Sequence, residues 1–270
     1  MPLEHLKSRA VIAVSGNEAM SLLQRVITAN IDNLEPGVVR DCALLTPQGK
    51  VLFQFLISRS GNGYLIDCPS DDRDALIKRL TLYKLRSDVQ FERSELHAVA
   101  CADPFDHGLA DERADGMGYR AYLASLPSSV VDENAYQARR VGVGLPEIGG
   151  DYDSQSIYAH EALLDLTQGI DFKKGCYVGQ EVVSRVEHRS TARKRFVRVI
   201  ASGNLAEKGS NVTANGKTVG VMGSSNGGHG LALVRVDKLS GPTVWVSDME
   251  AELSVPGFAS FTLGPVSTHG

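Results

Sequence analysis

The chain has 270 residues, enough for two domains or three small ones with modest cores. Its composition, 43% hydrophobic and 22% charged with a net charge of −4, is that of an ordinary globular protein, with no global reason to expect nucleic acid or an anionic membrane as the main partner. No apolar run approaches membrane length, and Val11-Ile12-Ala13-Val14 is too short to export or span, so a cytoplasmic location is expected unless a targeting segment is missing from this chain.

In chain order, Arg9 to Val14 alternates as a strand, and Ser15-x-x-Glu18 offers a capping box for a helix with Ala19, Leu22, Leu23, Val26 and Ile27 inward. Pro36-Gly37 breaks the chain. Strands are predicted near 39–46, 50–58 and 63–68, then a helix from Ser70 with Leu76, Leu80 and Tyr83 as its apolar stripe. Strands near 87–93 and 96–101 follow, and the mixture with hairpins indicates antiparallel α+β rather than a parallel sheet. Residues 103–118 read as an acidic surface loop, and Val141 to Gly144 ends a strand-like run. A helix with Ala159, Ala162, Leu163 and Leu166 inward is predicted to stop at Gly169. Beyond about residue 190 only short strand-like runs appear, with Asn215-Gly216 as the strongest hairpin signal. The division is therefore 1–190 as an α+β region and 191–270 as a small antiparallel β-barrel or sandwich.

The most specific stretch is Lys174-Gly175-Cys176-Tyr177-Val178-Gly179-Gln180-Glu181. Two glycines bracket a thiol and a phenol, and a helical period begins at Gly179, with Val182, Val183 and Val186 on one side and Glu181, Arg185 and His188 on the other. A helix N-terminus beside Lys173 and Lys174 would stabilise a thiolate at Cys176, and His160 or His188 are candidate bases. A packed structural cysteine is the other reading. Cys42, Cys68 and Cys101 lie in or beside apolar, strand-like segments and read as buried small hydrophobes. There is no Cys-x-x-Cys pair and no His-x-x-x-His, so a metal site is not expected.

This motif resembles the signature of the folate-binding YgfZ-type proteins of the glycine-cleavage T-protein (aminomethyltransferase) superfamily. Gly144-Leu145-Pro146-Glu147-x-Gly149-x-Asp151, His160-Glu161, Ile170-Asp171-Phe172-Lys173 and the early Leu45-Thr46-Pro47-Gln48-Gly49-Lys50 agree with it. The resemblance implies an aminomethyltransferase-like folate-binding region of two interleaved α+β subdomains, followed by a small β-barrel. It also implies a tetrahydrofolate-binding protein that assists maturation or repair of iron–sulfur proteins, including tRNA-modifying enzymes, with iron–sulfur client or assembly proteins as partners and with Cys176 functionally important.

Candidate folate contacts follow. Tyr177 could stack on a pterin, Gln180, Glu181 and Glu161 could read its edge, and Lys174, Gly175 and Gly179 shape the loop. Arg140, at the arginine position before Gly-x-Pro, could hold a folate carboxylate, and a structural ion pair is its alternative. Arg185, Arg189, Arg193, Lys194, Arg195 and Arg198 against one Glu187 form a basic run suited to a polyglutamyl tail; tRNA suits it less because no aromatic residues are interleaved. The chain departs from the transferases at Phe53 and Gln54, which stand where the resembled enzymes carry acids. Neither can exchange a proton, so a folate-dependent aminomethyl- or methyltransferase remains an alternative only, beside a protein-interaction scaffold with a vestigial folate pocket.

Overall fold

The structure is a computed structural model and describes residues 2–188 and 192–264. In chain order it runs β1 (Glu4–His5), β2 (Arg9–Ser15), α1 (Ala19–Val26), β3 (Val38–Leu45), β4 (Val51–Ser60), β5 (Gly63–Pro69), α2 (Arg73–Lys84), β6 (Gln90–Ser94), β7 (His97–Cys101), β8 (Leu109–Asp111) and β9 (Tyr119–Leu123). Then come α3 (Asn134–Val143), α4 (Gln180–His188), β10 (Lys194–Ala201), β11 (Asn211–Ala214), β12 (Lys217–Asn226), β13 (His229–Arg235), β14 (Thr243–Val246) and β15 (Met249–Ser254).

Nine strands form one sheet in the order β1-β7-β9-β8-β3-β4-β5-β2-β6, antiparallel except where β8 meets β3 at Val38 and Val39. The chain interleaves the two halves: β1 pairs with β7, and β2 then crosses to lie between β5 and β6. Strands β10 to β15 close into an antiparallel barrel in the order β10-β13-β12-β11-β14-β15. Helix α1 buries Ala19, Leu22, Leu23 and Val26, and α2, beside β2 and β6, buries Leu76 and Leu80, all in one core with the inner side chains of β2 to β5.

Several local expectations fail for identifiable reasons. No capping box forms at α1, because the Glu18 carboxylate accepts from the Asp88 amide instead. Residues 134–143 are helical rather than strand-like, ending where Gly144 takes φ +97° and donates to the Arg140 carbonyl. Residues 158–168 make successive turns rather than an α-helix, since Leu163 (φ +62°) and Gln168 (φ +59°) interrupt any helical run; Ala159, Ala162 and Leu163 are nonetheless buried. In the acidic loop Asp111 is buried, held by the equally buried Arg113 at 2.8 Å.

That pair belongs to a buried network that composition could not reveal. Asp67 takes Arg9 and Arg120 at 2.6 Å each, Arg113 reaches Glu147 at 3.1 Å, Tyr136 donates to Glu147 at 2.6 Å, and Arg140 pairs with Asp151. Four arginines thus face four carboxylates with no charge left over, which makes such deep burial tolerable. Burial alone would raise the Glu147 carboxyl, but Arg140, Arg9, Arg113 and Arg120 hold it well below the usual range. The network also fixes the barrel: Ser224 on β12 donates its amide to Asp151 at 2.7 Å and accepts from Arg140 at 2.9 Å.

Candidate functional site

The loop before α4 is clamped by its second glycine. Gly179 sits at φ +82°, and a Cβ there would lie 2.6 Å from the Thr46 carbonyl oxygen and 3.0 Å from Leu45 Cβ. A Cβ on Gly49 would in turn meet Val182 at 2.8 Å. The two glycine-bearing motifs, 45–50 and 174–181, therefore lie in backbone-to-backbone approach that side chains would forbid. Gly175 faces open space and imposes no such requirement.

The thiol and the phenol point apart. Cys176 is exposed, whereas Tyr177 is buried among Ala43, Leu45, Val51 and Tyr152, and its hydroxyl has no hydrogen-bond partner. Burial pushes the Tyr177 phenol up, and the Asp171 carboxylate adds to that. Lys174 is buried too. Its ammonium donates to the Ile27 and Ala29 carbonyls at 2.9 and 2.6 Å and stands 5.5 Å from the Tyr177 ring centroid, with burial lowering its pKa to about 8. That ammonium is tied to the chain leaving α1 rather than offered to the thiol. Glu181 and Arg185 pair with each other at 2.7 Å on the solvent face of α4, and Gln180 starts that helix half-buried. Glu161 accepts from the Tyr158 amide at 2.9 Å, and Arg140 is engaged in the barrel-fixing network. Arg189 lies outside the described residues.

The hollows lie alongside, where residues 158–173, α4 and the barrel meet. One of about 430 Å³ is lined by His160, Asp165, Phe172, Glu187, Arg195 and Phe261, among others. It shares Asp165 and Phe172 with a hollow of about 340 Å³ that reaches Arg40 and Lys173, and shares His160 with one of about 240 Å³ bounded by Glu161, Arg193, Lys194 and Arg235. Of the candidate pterin and carboxylate contacts, Tyr177, Gln180, Glu181, Arg140 and Lys174 line none of these three and Glu161 lines one, whereas Arg193, Lys194 and Arg195 of the basic run do reach them. Burial lowers the His160 pKa against the opposing pull of Asp165, and its Nε2 stands 3.4 Å from Glu187. The donor atoms of His160, Asp165 and Glu187 lie within 4.8 Å of one another, a grouping the linear spacing did not suggest. Both Asp165 oxygens already accept from Arg195, at 2.7 and 2.8 Å.

One acid near the position of the missing pair escaped sequence reading. Gln54 on β4 is fully used: it donates to Asp41 at 3.2 Å and accepts from the Tyr152 hydroxyl at 2.7 Å and the Ile148 amide at 3.2 Å. Asp41 on β3 also accepts from Thr167 at 2.9 Å. Burial raises its pKa to about 6, against the opposing pull of Arg113 and of these hydrogen bonds. A lone carboxylate inside the apolar run Val38 to Leu45 was the available signal. Phe53 packs in the core beneath α1.

Residues 193–261 match the family model of the CAF17 C-terminal beta-barrel domain. Over its whole length the chain superposes on the glycine cleavage system aminomethyltransferase T from Bartonella henselae with a TM-score of 0.76 and 16% identity, covering 97% of this chain and 87% of that one. The fold is aminomethyltransferase-like. Among sequence relatives, the chain is 32% identical over 240 residues to an iron-sulfur cluster assembly factor IBA57 homolog, mitochondrial, of Chaetomium globosum, aligning 72% of this chain with 55% of that protein. It is 27% identical over 278 residues to the human iron-sulfur cluster assembly factor IBA57, mitochondrial, covering 88% of this chain and 78% of that one. The chain spans a little over half the length of several of the fungal relatives it matches, those of Chaetomium globosum, Pyricularia oryzae and Neurospora crassa. These relatives carry the IBA57 name, and the YgfZ-type assignment stays a resemblance. The expected cytoplasmic location is overturned, because the named relatives are mitochondrial proteins.

Proposed function

We propose that the chain is an accessory factor in iron–sulfur protein assembly, working through the thiol of Cys176, with a reduced folate as its ligand. The observation that carries this reading is the contrast among the cysteines. Cys42 and Cys68 are buried, with pKa values that burial raises, and Cys101 is buried as well, whereas Cys176 is exposed on the loop that Gly179 clamps. A thiol so presented is available to a partner protein; the names of the IBA57 relatives place them in iron–sulfur cluster assembly, and assembly or client proteins, tRNA-modifying enzymes among them, are the partners in this reading. The barrel, taken from about residue 191 onward, is proposed as a separate domain locked to the first.

Support for the folate comes from the chemistry of the hollows. About 430 Å³ is within the range of small-molecule sites. Phe172, 37% exposed, offers a face for a pterin, Glu187 offers a carboxylate to its donor edge, and Arg193 and Lys194 next door suit a glutamyl tail. Bound folate would supply a one-carbon carrier; the protein would stack it at Phe172 and neutralise its tail. Gln54, locked between Asp41 and Tyr152, has no proton to exchange, which favours an accessory role over aminomethyl transfer. Calorimetric titration of tetrahydrofolate into the wild type and Phe172→Ala tests the ligand, with binding weakened at least tenfold in the variant. No binding by the wild type at millimolar folate refutes the ligand. Cys176→Ala tests the thiol: the expected result is an unchanged thermal midpoint with loss of support for iron–sulfur enzyme activity in cells.

A further inference from the structure

On the far side of the clamped loop lies a larger hollow, about 880 Å³, between α1 and the end of α2. Its apolar lining comes from Leu22 and Val26 on α1, Tyr83 and Leu85 at the end of α2, and Val178 from the cysteine loop itself. Its charged lining is mostly of one sign. Arg25 and Arg86 are exposed and have no ion pair among the described residues, and Lys84 has only the neutral Gln90 amide, at 3.3 Å. The single acid, Glu18, is already held by the Asp88 amide at 2.6 Å. In a chain whose net charge is −4, this is a local reversal beside an apolar floor.

Leu85 is the oddest residue there. It is 87% exposed and sits at φ +48°, ψ −107°, a positive-φ conformation that side chains rarely adopt and glycine takes freely. A helix C-terminus would be served better by glycine or asparagine, so folding of this chain alone gives no reason for a leucine at the rim. An apolar side chain held outward over an apolar floor is what an interface requires.

We propose that this hollow is the docking groove for an acidic segment of a partner protein whose apolar side chains fill the space between Leu22, Val26, Tyr83 and Leu85. The segment's carboxylates would pair with Arg25, Lys84 and Arg86, which have none among the described residues. Val178, on the groove wall, is two residues from Cys176, so the thiol lies within about 7 Å of chain from the seated partner. The groove thus gives a recognition surface for whatever the thiol serves, while the docking itself does not depend on the folate reading.

The test is a displayed library of random 16-residue peptides selected on the full chain and compared with the double variant Leu85→Ser, Arg86→Glu. Both positions are exposed, so the variant should keep its thermal midpoint, which is measured alongside. The expected selection is acidic peptides bearing several large apolar residues. Their affinity should fall at least tenfold on the variant and should weaken as salt is raised. Selected peptides that are neutral or basic, or that bind the variant as well as the wild type, overturn the proposal. So does sedimentation showing a wild-type dimer that the variant abolishes, because the occupant would then be a second copy of this chain. Folate titration of the same variant separates the two readings: loss of the peptides with folate affinity retained is the result expected here.

Discussion

Asp41→Asn is the substitution whose outcome can be worked out most fully. The Asp41 carboxyl is buried, and burial raises its pKa from 3.8 to about 6. Between those values the native chain keeps a proton that the unfolded chain has released, so the residue's contribution to stability falls as pH rises from about 4 to about 6 and is constant above that. A shift of about 2 units corresponds to roughly 3 kcal/mol of penalty at neutral pH. Asparagine carries no such penalty. Its carbonyl can still accept from Thr167, but its NH2 group opposes the Gln54 amide, which should cost about 1 kcal/mol. The variant should therefore be more stable than wild type by about 2 kcal/mol at pH 8, a rise of about 4–8 °C in Tm for a chain of this size. At pH 3.5 it should be less stable by about 1 kcal/mol. Urea unfolding of both proteins at half-unit steps from pH 3.5 to 8 gives the difference curve. A difference that stays flat across that range would falsify the claim that this carboxyl ionises at a cost inside the fold.

Glu147→Gln should cost about 3–5 kcal/mol at pH 7, since it leaves four arginines facing three carboxylates. Because Glu147 is held below its usual value of 4.5, that cost should be present above pH 4.5 and shrink as pH falls below it, which denaturant midpoints at two pH values would reveal. Gly179→Ala should lose at least about 2 kcal/mol because its Cβ meets the Thr46 carbonyl, while Gly175→Ala should change stability by less than about 0.5 kcal/mol; equal effects would discount the clamp. Tyr177→Phe should raise stability by about 1 kcal/mol by removing an unpartnered buried hydroxyl, and it should leave folate binding unchanged, because Tyr177 lines none of the three hollows. Thermal melts and a folate titration on the same preparation read both effects.

Legibility in the sequence depended on how local each cause was. Helix α1, its inward residues, most strands of the first sheet and the Asn215-Gly216 hairpin follow from periodicity and turn residues, which neighbours within a few positions decide. Helix α3 was misread because Val141-Gly142-Val143 alternates like a strand, whereas Ala138, Gln137 and Arg139 just before it favour helix. The turns at 158–168 kept the inward set Ala159, Ala162 and Leu163 but not the helical backbone, because apolar spacing reports burial and says little about a left-handed residue at Leu163.

The resemblance to the aminomethyltransferase fold was legible in the glycine-bracketed motif. Only the tertiary structure decided which way its residues face. Cys176 meets solvent and Tyr177 the core because Gly179 is pressed against the 45–49 turn, some 130 positions earlier. The same holds for the buried ions: Arg140 reads as a possible folate contact in one dimension, and Glu147, Asp151 and Ser224 claim it in three. Charge pairing between distant segments has no periodicity, so a single sequence carries the residues of such a network without the distances that turn them into one.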